Sequence, residues 1–529
     1  MDLPPAAAPP LVRRLLEPAA YPHPVSDLHV VETHISWVFL TGARAYKVKK
    51  PVDLGFLDFT SLERRRAFCR EEVRLNGRFA PELYLGAVPI AGPPEAATIG
   101  GAGEPIEWAV CLEQFPERDR LDHVLERGEL SPEDCATLAG DVAAVQRDLL
   151  VADTAAPWGT AATFRAIVRL NLDQLVEHRP DLADRARGLA TWIDGQLARH
   201  GERLAARRGA SRVRECHGDL HLGNLVRHRG RIVAFDGIEF NESLRWIDVA
   251  NDVAFLAMDL HARGRPDLAA TVVSAWVEAA DDHAALPILP MYLLYRAIVR
   301  AAVAAIRAGQ TAASGPTAND DCVRYLALAE RLATPTRPLL VATCGISGSG
   351  KSTLAAAVAA ALGAIRLRSD VERKRGAGLA PTDRPADADA AALLYSAATT
   401  RRTYERLADL SGAALAAGWS VVIDAACLRR EQRATIAAVA ARGAVELVWL
   451  DLDLPAAVAA ERVRARGGAD PSDATATVVA AQVASREPIT AAELASATGG
   501  RASVVPVAAT GAFDAATVAR VARLARGPE

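Results

Sequence analysis

Lysine is almost absent from this sequence. Of 61 basic residues in a chain of 529, only Lys47, Lys49, Lys50, Lys351 and Lys374 are lysine, and the rest are arginine. Where positive charge is written as arginine nearly everywhere, a remaining lysine marks a place that suits a compact ammonium better than a planar fork. Three of the five fall within four residues, and a fourth follows a glycine-rich run. Cysteine pairing is also missing. The seven cysteines are scattered with no C-x-x-C pair, which argues against a disulfide framework or a structural zinc site and fits a reducing cytoplasm. Net charge is close to nil, −3 from 61 basic and 64 acidic residues, so the electrostatic footprint of a dedicated nucleic-acid binder is lacking. The Pro/Ala-rich start has no basic segment followed by an apolar core, so no signal peptide is expected. The longest apolar stretch, 286–308, is broken by Arg296, Arg300 and Arg307 and is expected to form a buried amphipathic helix rather than a membrane span. A cytoplasmic protein with neither a membrane nor a nucleic-acid partner is expected; the oligomeric state is left open.

The length suits about two to four domains. From about residue 30 to 115 the pattern is strand-rich with one helix: Ile35–Leu40 and Ala45–Lys49 read as a hairpin, Ser61–Asn76 as a charged helix capped by Ser61, and Glu107–Phe115 as a further strand. Helices then dominate to about residue 333, interrupted by a short β-containing stretch at 216–240. A Thr/Pro segment, 334–338, reads as a linker. Beyond it, the short apolar runs 339–343, 364–367, 420–423, 445–450 and 503–507 alternate with helical segments, the pattern of a parallel sheet covered by helices.

The first of those runs leads into Gly345-Ile346-Ser347-Gly348-Ser349-Gly350-Lys351-Ser352, which matches G-x-x-x-x-G-K-[ST] between a strand and a helix. Backbone N–H groups of Gly345, Ser347, Gly348, Ser349 and Gly350 can turn around phosphates, Lys351 can reach their outer oxygens, and the Ser352 hydroxyl can hold Mg²⁺, with Thr353 next on the helix. This half resembles small P-loop kinases of the gluconate-kinase and Zeta-toxin kind. The resemblance implies that Asp370, ending the second strand, is the base for an acceptor hydroxyl, and that Asp424, ending Val421–Ile423, orients Mg²⁺. It also implies that Arg462 and Arg466 are lid arginines closing on phosphate. The plainer alternatives are a helix cap for Asp370, a strand-end cap for Asp424 and a solvated basic face for the arginines.

A second constellation precedes it. Cys216-His217-Gly218-Asp219-Leu220-His221-Leu222-Gly223-Asn224 is followed, after a short hairpin, by Phe235-Asp236-Gly237. Asp219, Asn224 five residues on and Asp236 twelve further have the spacing of a kinase catalytic loop, in which Asp219 takes the acceptor's proton while Asn224 and Asp236 hold Mg²⁺ on ATP. The loop resembles that of the aminoglycoside phosphotransferase-like kinases. The segment 235–241 with Arg245, Asp248 and Asp252 resembles bacterial proteins that fuse such a domain to a P-loop kinase. Asp248 and Asp252 are expected to brace the catalytic loop.

The resemblance implies a bilobal protein-kinase-like fold over 25–333 (small lobe 25–115, large lobe 116–333) after an extension, 1–24. A linker, 334–338, then leads to a P-loop parallel sheet sandwiched by helices over 339–529. It implies ATP and Mg²⁺ as cofactors and a small hydroxylated molecule as acceptor. A kinase small lobe needs a strand lysine and a helix glutamate; Lys47 or Lys49, with Glu72 or Glu71, supply them, and Glu113-Gln114-Phe115 is the expected hinge. Two departures stand out: no G-x-G-x-x-G lies in Thr33–Thr41, and Gln146 stands where such kinases often carry histidine.

Overall fold

In a computed structural model, which describes residues 8–53, 57–310, 317–335, 337–465, 472–498, 501–509 and 515–526, the strand-rich segment forms one antiparallel sheet. Its strands are β1 (His29–Glu32), β2 (Ser36–Leu40), β3 (Arg44–Lys49), β4 (Tyr84–Ala91), β5 (Thr98–Ile99) and β6 (Pro105–Glu113), in the order β1-β2-β3-β6-β4-β5. Strand alternation divides β3 between two faces. Tyr46 and Val48 join a core with Val12 and Leu15, which brings helix α1 (Pro10–Arg14) onto the sheet. Ala45 joins the opposite core with Cys69 of α2 (Leu62–Asn76), so Lys47 and Lys49 face α2. Ser61 caps α2 as expected, accepting from the Arg64 amide. The buried residues of α2, Arg65, Cys69, Glu72, Leu75 and Asn76, follow helical spacing and lie along one stripe. Strand β4 carries Gly86 and Pro89, which hide its alternation in the sequence.

The stretch at 213–248 contributes two small ladders: β7 (Val213–Glu215) with β10 (Trp246–Asp248), and β8 (Leu225–His228) with β9 (Arg231–Ala234). These belong with the sheet to one compact unit, residues 1–169 and 197–259; the other unit comprises 170–196 and 260–529.

In the second unit the five apolar runs become β11 (Leu339–Cys344), β12 (Ile365–Arg368), β13 (Val421–Asp424), β14 (Glu446–Asp453) and β15 (Ala502–Ala508). All are parallel, in the order β12-β13-β11-β14-β15. Leu339, Val341, Val422, Val448 and Leu450 form one core with Leu354 and Val358 of the helix that follows the glycine loop. Helix α3 (Pro266–Ala280) meets β12: the Arg366 amide donates to Ser274 Oγ at 2.9 Å, and Arg368 closes on Glu278 with two hydrogen bonds. Helix α4 (Leu289–Gln310) contains the expected apolar stretch. Residues Leu289–Gly309 are long and apolar enough to cross a membrane, but 72% of the tested stretch is buried inside the protein. All seven cysteines are buried, and none is in a disulfide.

Candidate active sites

Lysines 47 and 49 share one glutamate. Lys47 Nζ lies 2.9 Å from Glu72 Oε1 and 2.5 Å from Asp236 Oδ1, while Lys49 Nζ donates to Glu72 Oε2 at 2.7 Å and to Glu239. Glu71 is turned elsewhere, pairing with Arg74 at 2.7 Å and Arg245 at 3.2 Å. Lys49 is fully buried over the Phe59 ring, whereas Asp236 is half exposed. Lys47 therefore presents the accessible end of the relay and Lys49 its anchor. Burial works against the ammonium of Lys47, but the carboxylates of Asp236, Glu72 and Glu239 outweigh it and hold the group well above its usual range. Burial likewise works against ionisation of Glu72, yet the two ammonium groups bring it down to about 2, from an ordinary 4.5.

The sign of the resulting acid dependence follows directly. A carboxyl that ionises more readily folded than unfolded stabilises the fold above its ordinary value, and that contribution fades as pH falls from 4.5 towards about 2. Urea unfolding at pH 5 and pH 3 should show wild type losing on the order of 1–3 kcal/mol more across that interval than Glu72→Gln. Equal losses in the two proteins would contradict this account.

The catalytic loop is held from several sides. Asn224 Nδ2 donates to Asp219 Oδ2 at 2.9 Å and to the Asp219 carbonyl at 3.0 Å. His217 Nε2 faces the Phe235 carbonyl at 3.0 Å and Nδ1 faces the Asp219 amide at 3.3 Å, so Nε2 carries the hydrogen and Nδ1 accepts. Burial, the largest influence, lowers the pKa of this imidazole, consistent with that neutral form. Asp252 accepts from the amides of Gly218 at 2.9 Å and His217 at 3.3 Å, bracing the loop as expected. Asp248 instead grips Arg207 through two bonds of 2.7 Å, and Gln146 reaches the Val249 carbonyl at 3.1 Å. Residue pairing Leu225↔Ala234 and the Phe235 amide on the Asn224 carbonyl, at 3.0 Å, set Asn224 and Asp236 beside the same end of the β8–β9 ladder. Asp236 adopts a left-handed φ of 60°, with its amide on the Tyr84 hydroxyl at 3.0 Å and that of Gly237 on Asn76 Oδ1 at 2.7 Å. Glu239, Tyr84 and Asn76 were not singled out from sequence as site residues. Only Glu239 had a signal, its place three residues after Asp236.

Between β1 and β2 there is no glycine loop but a tight turn, in which Thr33 and Ser36 exchange hydrogen bonds of 2.8–3.1 Å and Lys50 Nζ caps the Thr33 carbonyl at 2.6 Å. At the expected hinge, Gln114 Oε1 clasps the amides of Thr41 and Gly42 at 2.8 and 2.9 Å.

The second site is built on β11 and α5 (Lys351–Leu362). Lys351 Nζ donates to the Ile346 carbonyl at 2.8 Å, and Ser352 Oγ to Asp424 Oδ1 at 3.2 Å. Asp424 ends β13, the strand beside β11, which is why the two meet. Asp370 occupies the first turn of α6 (Ser369–Gly376) rather than capping it. Burial raises its pKa, and the nearby charge of Asp424 adds to the effect. Ser347, Lys351, Ser352, Asp370 and Asp424 all line one cavity of about 1310 Å³. Gln482 of α7 (Ala476–Ser485), missed in the sequence, also lines it and accepts from the Ser347 amide at 2.6 Å. Ser349 is buried, and Thr353 is exposed outside the cavity lining. Arg462 sits half-buried on a helix, 456–464, and is not part of that lining; Arg466 lies outside the described residues.

Gly348 shows how tightly the loop is set. Its φ is +86°, and an added Cβ would stand 2.4 Å from the Ala459 carbonyl oxygen, a backbone atom. Gly348→Ala should cost at least about 1–2 kcal/mol from the left-handed backbone alone, read as a lower urea midpoint together with weaker nucleotide binding. A variant matching wild type in both would mean that the loop yields easily.

A family model for an AAA domain matches residues 340–489. Over 474 residues the chain is 32% identical to the uncharacterized protein Rv2004c of Mycobacterium tuberculosis, covering 87% of this chain and 91% of that one. The same figures hold for the uncharacterized protein Mb2027c of Mycobacterium bovis. The chain belongs to the family of these mycobacterial proteins. Solved structures similar to parts of this family member include a gluconokinase from Sinorhizobium meliloti, 23% identical over 36% of this chain and 92% of that one, with a TM-score of 0.23. Others are a choline kinase from Cryptosporidium parvum (10% identical, 58% and 90% covered, TM-score 0.38) and an ADP-bound aminoglycoside phosphotransferase (15%, 58% and 95%, TM-score 0.31). This member of the family carries the Asp219–Asn224 loop beside an antiparallel sheet and, further along, a glycine loop on a parallel sheet matched by the AAA-domain model.

Proposed function

We propose that the protein is a phosphotransferase with two ATP- and Mg²⁺-dependent sites, each passing the γ-phosphate to a hydroxyl of a small molecule of the sugar, sugar-acid or amino-sugar kind. The observation that carries this reading is the relay Glu72–Lys47–Asp236 standing with the Asp219–Asn224 pair on one catalytic loop. In the reaction, the acceptor's O–H proton passes to Asp219 (or Asp370 in the second site). The hydroxyl oxygen bonds to the γ-phosphorus, and the bond to the β–γ bridging oxygen breaks, releasing ADP.

Asn224 with Asp236, and Ser352 with Asp424, offer hard oxygen donors, and Mg²⁺ needs only one or two such groups beside water and phosphate oxygens. Among the described residues, no group of three or more His, Cys, Asp or Glu is arranged to hold a metal unaided. Bound there, Mg²⁺ would neutralise phosphate charge. Lys47 and Lys351 would orient the phosphates, and the carboxyls of Asp219 and Asp370 would take the proton. A cytoplasmic setting, with neither nucleic acid nor membrane as partner, belongs to the same reading.

The closed Thr33–Ser36 turn favours a second reading, in which the N-terminal domain binds a ligand and only the P-loop site turns over. Transfer from labelled ATP to a metabolite library, run with Asp219→Asn and Lys351→Ala separately, decides between them. Two working sites predict that each variant loses a different product. If Asp219→Asn changes nothing while Lys351→Ala removes all transfer, the single-site reading holds.

A further inference from the structure

Asp370 is carried at the margin of the parallel sheet, on an end strand and the short helix that follows it. β12 pairs with β13, and its last residue, Arg368, stands opposite Asp424 in that ladder. Asp370 comes two residues later. A carboxyl that must meet an acceptor hydroxyl to within about 0.5 Å needs a firmer hold than an end strand and an eight-residue helix supply. That hold comes from the last turn of α3, which precedes the P-loop sheet in sequence and shares its compact unit. Glu278 takes α6 by both ends. Its carboxylate closes on Arg368 just before the helix begins, accepting from Nε at 2.7 Å and from Nη2. Its carbonyl accepts from Arg375 Nη2 at 2.5 Å, in the last turn of the same helix. Asp281, the left-handed residue that ends α3, adds Arg375 at 3.3 Å and Arg406 at 3.2 Å. Both of these arginines also meet Glu372, a buried residue of α6. A carboxylate paired through two parallel bonds to a guanidinium fixes direction as well as distance.

We propose that Glu278 is a positioning residue for the C-terminal site: by fixing both ends of α6, it sets the Asp370 carboxyl against the acceptor hydroxyl. The inference rests on the function proposed above for that site and makes α3 a working part of it. Ser274, one turn earlier on α3, provides the contrast. Its hydroxyl takes the Arg366 amide, within β12 rather than on α6.

Two measurements on the full-length protein test this. Hydrogen exchange reads the grip: Glu278→Ala should speed exchange of the 373–376 amides about tenfold or more, and Ser274→Ala should leave them at wild-type rates. Labelled ATP reads the consequence, with water, gluconate, glucose and glucosamine as acceptors, counting the transfer that Lys351→Ala removes. Glu278→Ala should lower kcat about tenfold or more, since a misplacement of about 1 Å can cost a hundredfold. KM for ATP should stay within about twofold. Glu278→Gln keeps an oxygen for Arg368 and should fall between. In an Asp370→Asn background Glu278→Ala should cost nothing further, because its effect passes through that carboxyl. Unchanged exchange over 373–376 overturns the inference. So does a loss of rate that persists in the Asp370→Asn background, or that Ser274→Ala matches, for either makes α3 a support for the fold alone. A different failure belongs to the underlying reading. If no Lys351-dependent transfer occurs, or Asp370→Asn leaves it intact, the function proposed for the site falls and the inference with it.

Discussion

Lys351→Ala is expected to cut the number of ATP molecules bound per chain from two to one. The ammonium of Lys351 is held over the glycine loop by the Ile346 carbonyl, 2.8 Å away, with Ser352 beside it already turned to Asp424. The loop's amides supply partial charges, and Lys351 supplies the full charge facing the outer phosphates. Hydrogen bonds to charged groups contribute about 1.5–3 kcal/mol each, so losing those of Lys351 should weaken nucleotide binding at this site by roughly a hundredfold. Calorimetry on the full-length protein measures this as a fall in stoichiometry at unchanged affinity for the remaining site. An unaltered titration would mean that the loop does not hold phosphate.

The second large effect belongs to the other loop. Asp219→Asn should slow transfer by the N-terminal site roughly 10²- to 10⁴-fold and leave its affinity for ATP nearly as it was. Asparagine keeps a carbonyl oxygen to accept from Asn224 and keeps the loop's shape, but it cannot take the acceptor's proton. The groups proposed to hold the nucleotide and its metal, Lys47 and Asp236, pair with one another, while Asp219 accepts from Asn224. Measuring the rate in a Lys351→Ala background removes the contribution of the P-loop site. Parallel losses of rate and ATP affinity would make Asp219 a brace for the loop rather than a base.

Much of this was readable before any coordinates. The glycine loop and the Asp219–Asp236 segment could be read because phosphate binding and proton transfer demand particular residues at short, fixed spacings. The five strands of the P-loop sheet could be read because a buried parallel strand is an unbroken apolar run. The rare lysines also pointed correctly: Lys47 and Lys49 share one face of β3 and meet one glutamate. Whether Glu71 or Glu72 would serve depended on helical phase, which puts Glu72 on the same stripe as Cys69 and Asn76.

What stayed hidden depended on contacts between distant segments. Glu239 neutralises Lys49 across 190 positions, Gln482 reaches the glycine loop from 135 positions away, and Tyr84 comes from a strand whose Gly86 and Pro89 mask its period. The resemblance to small P-loop kinases also aimed Arg462 at the phosphates, whereas its helix leaves it outside the cavity lining.

The meeting of α3 with β12 has a practical side. β12 is the last strand on its side of the parallel sheet, and Ser274 satisfies a main-chain donor there that no neighbouring strand takes up. A shortened polypeptide starting at Leu339 would strip that margin of its cover and present an open template for sideways self-association. Any fragment made to study the P-loop half in isolation should therefore begin ahead of Pro266, well upstream of the proline-rich joint that looks, on composition, like the place to cut.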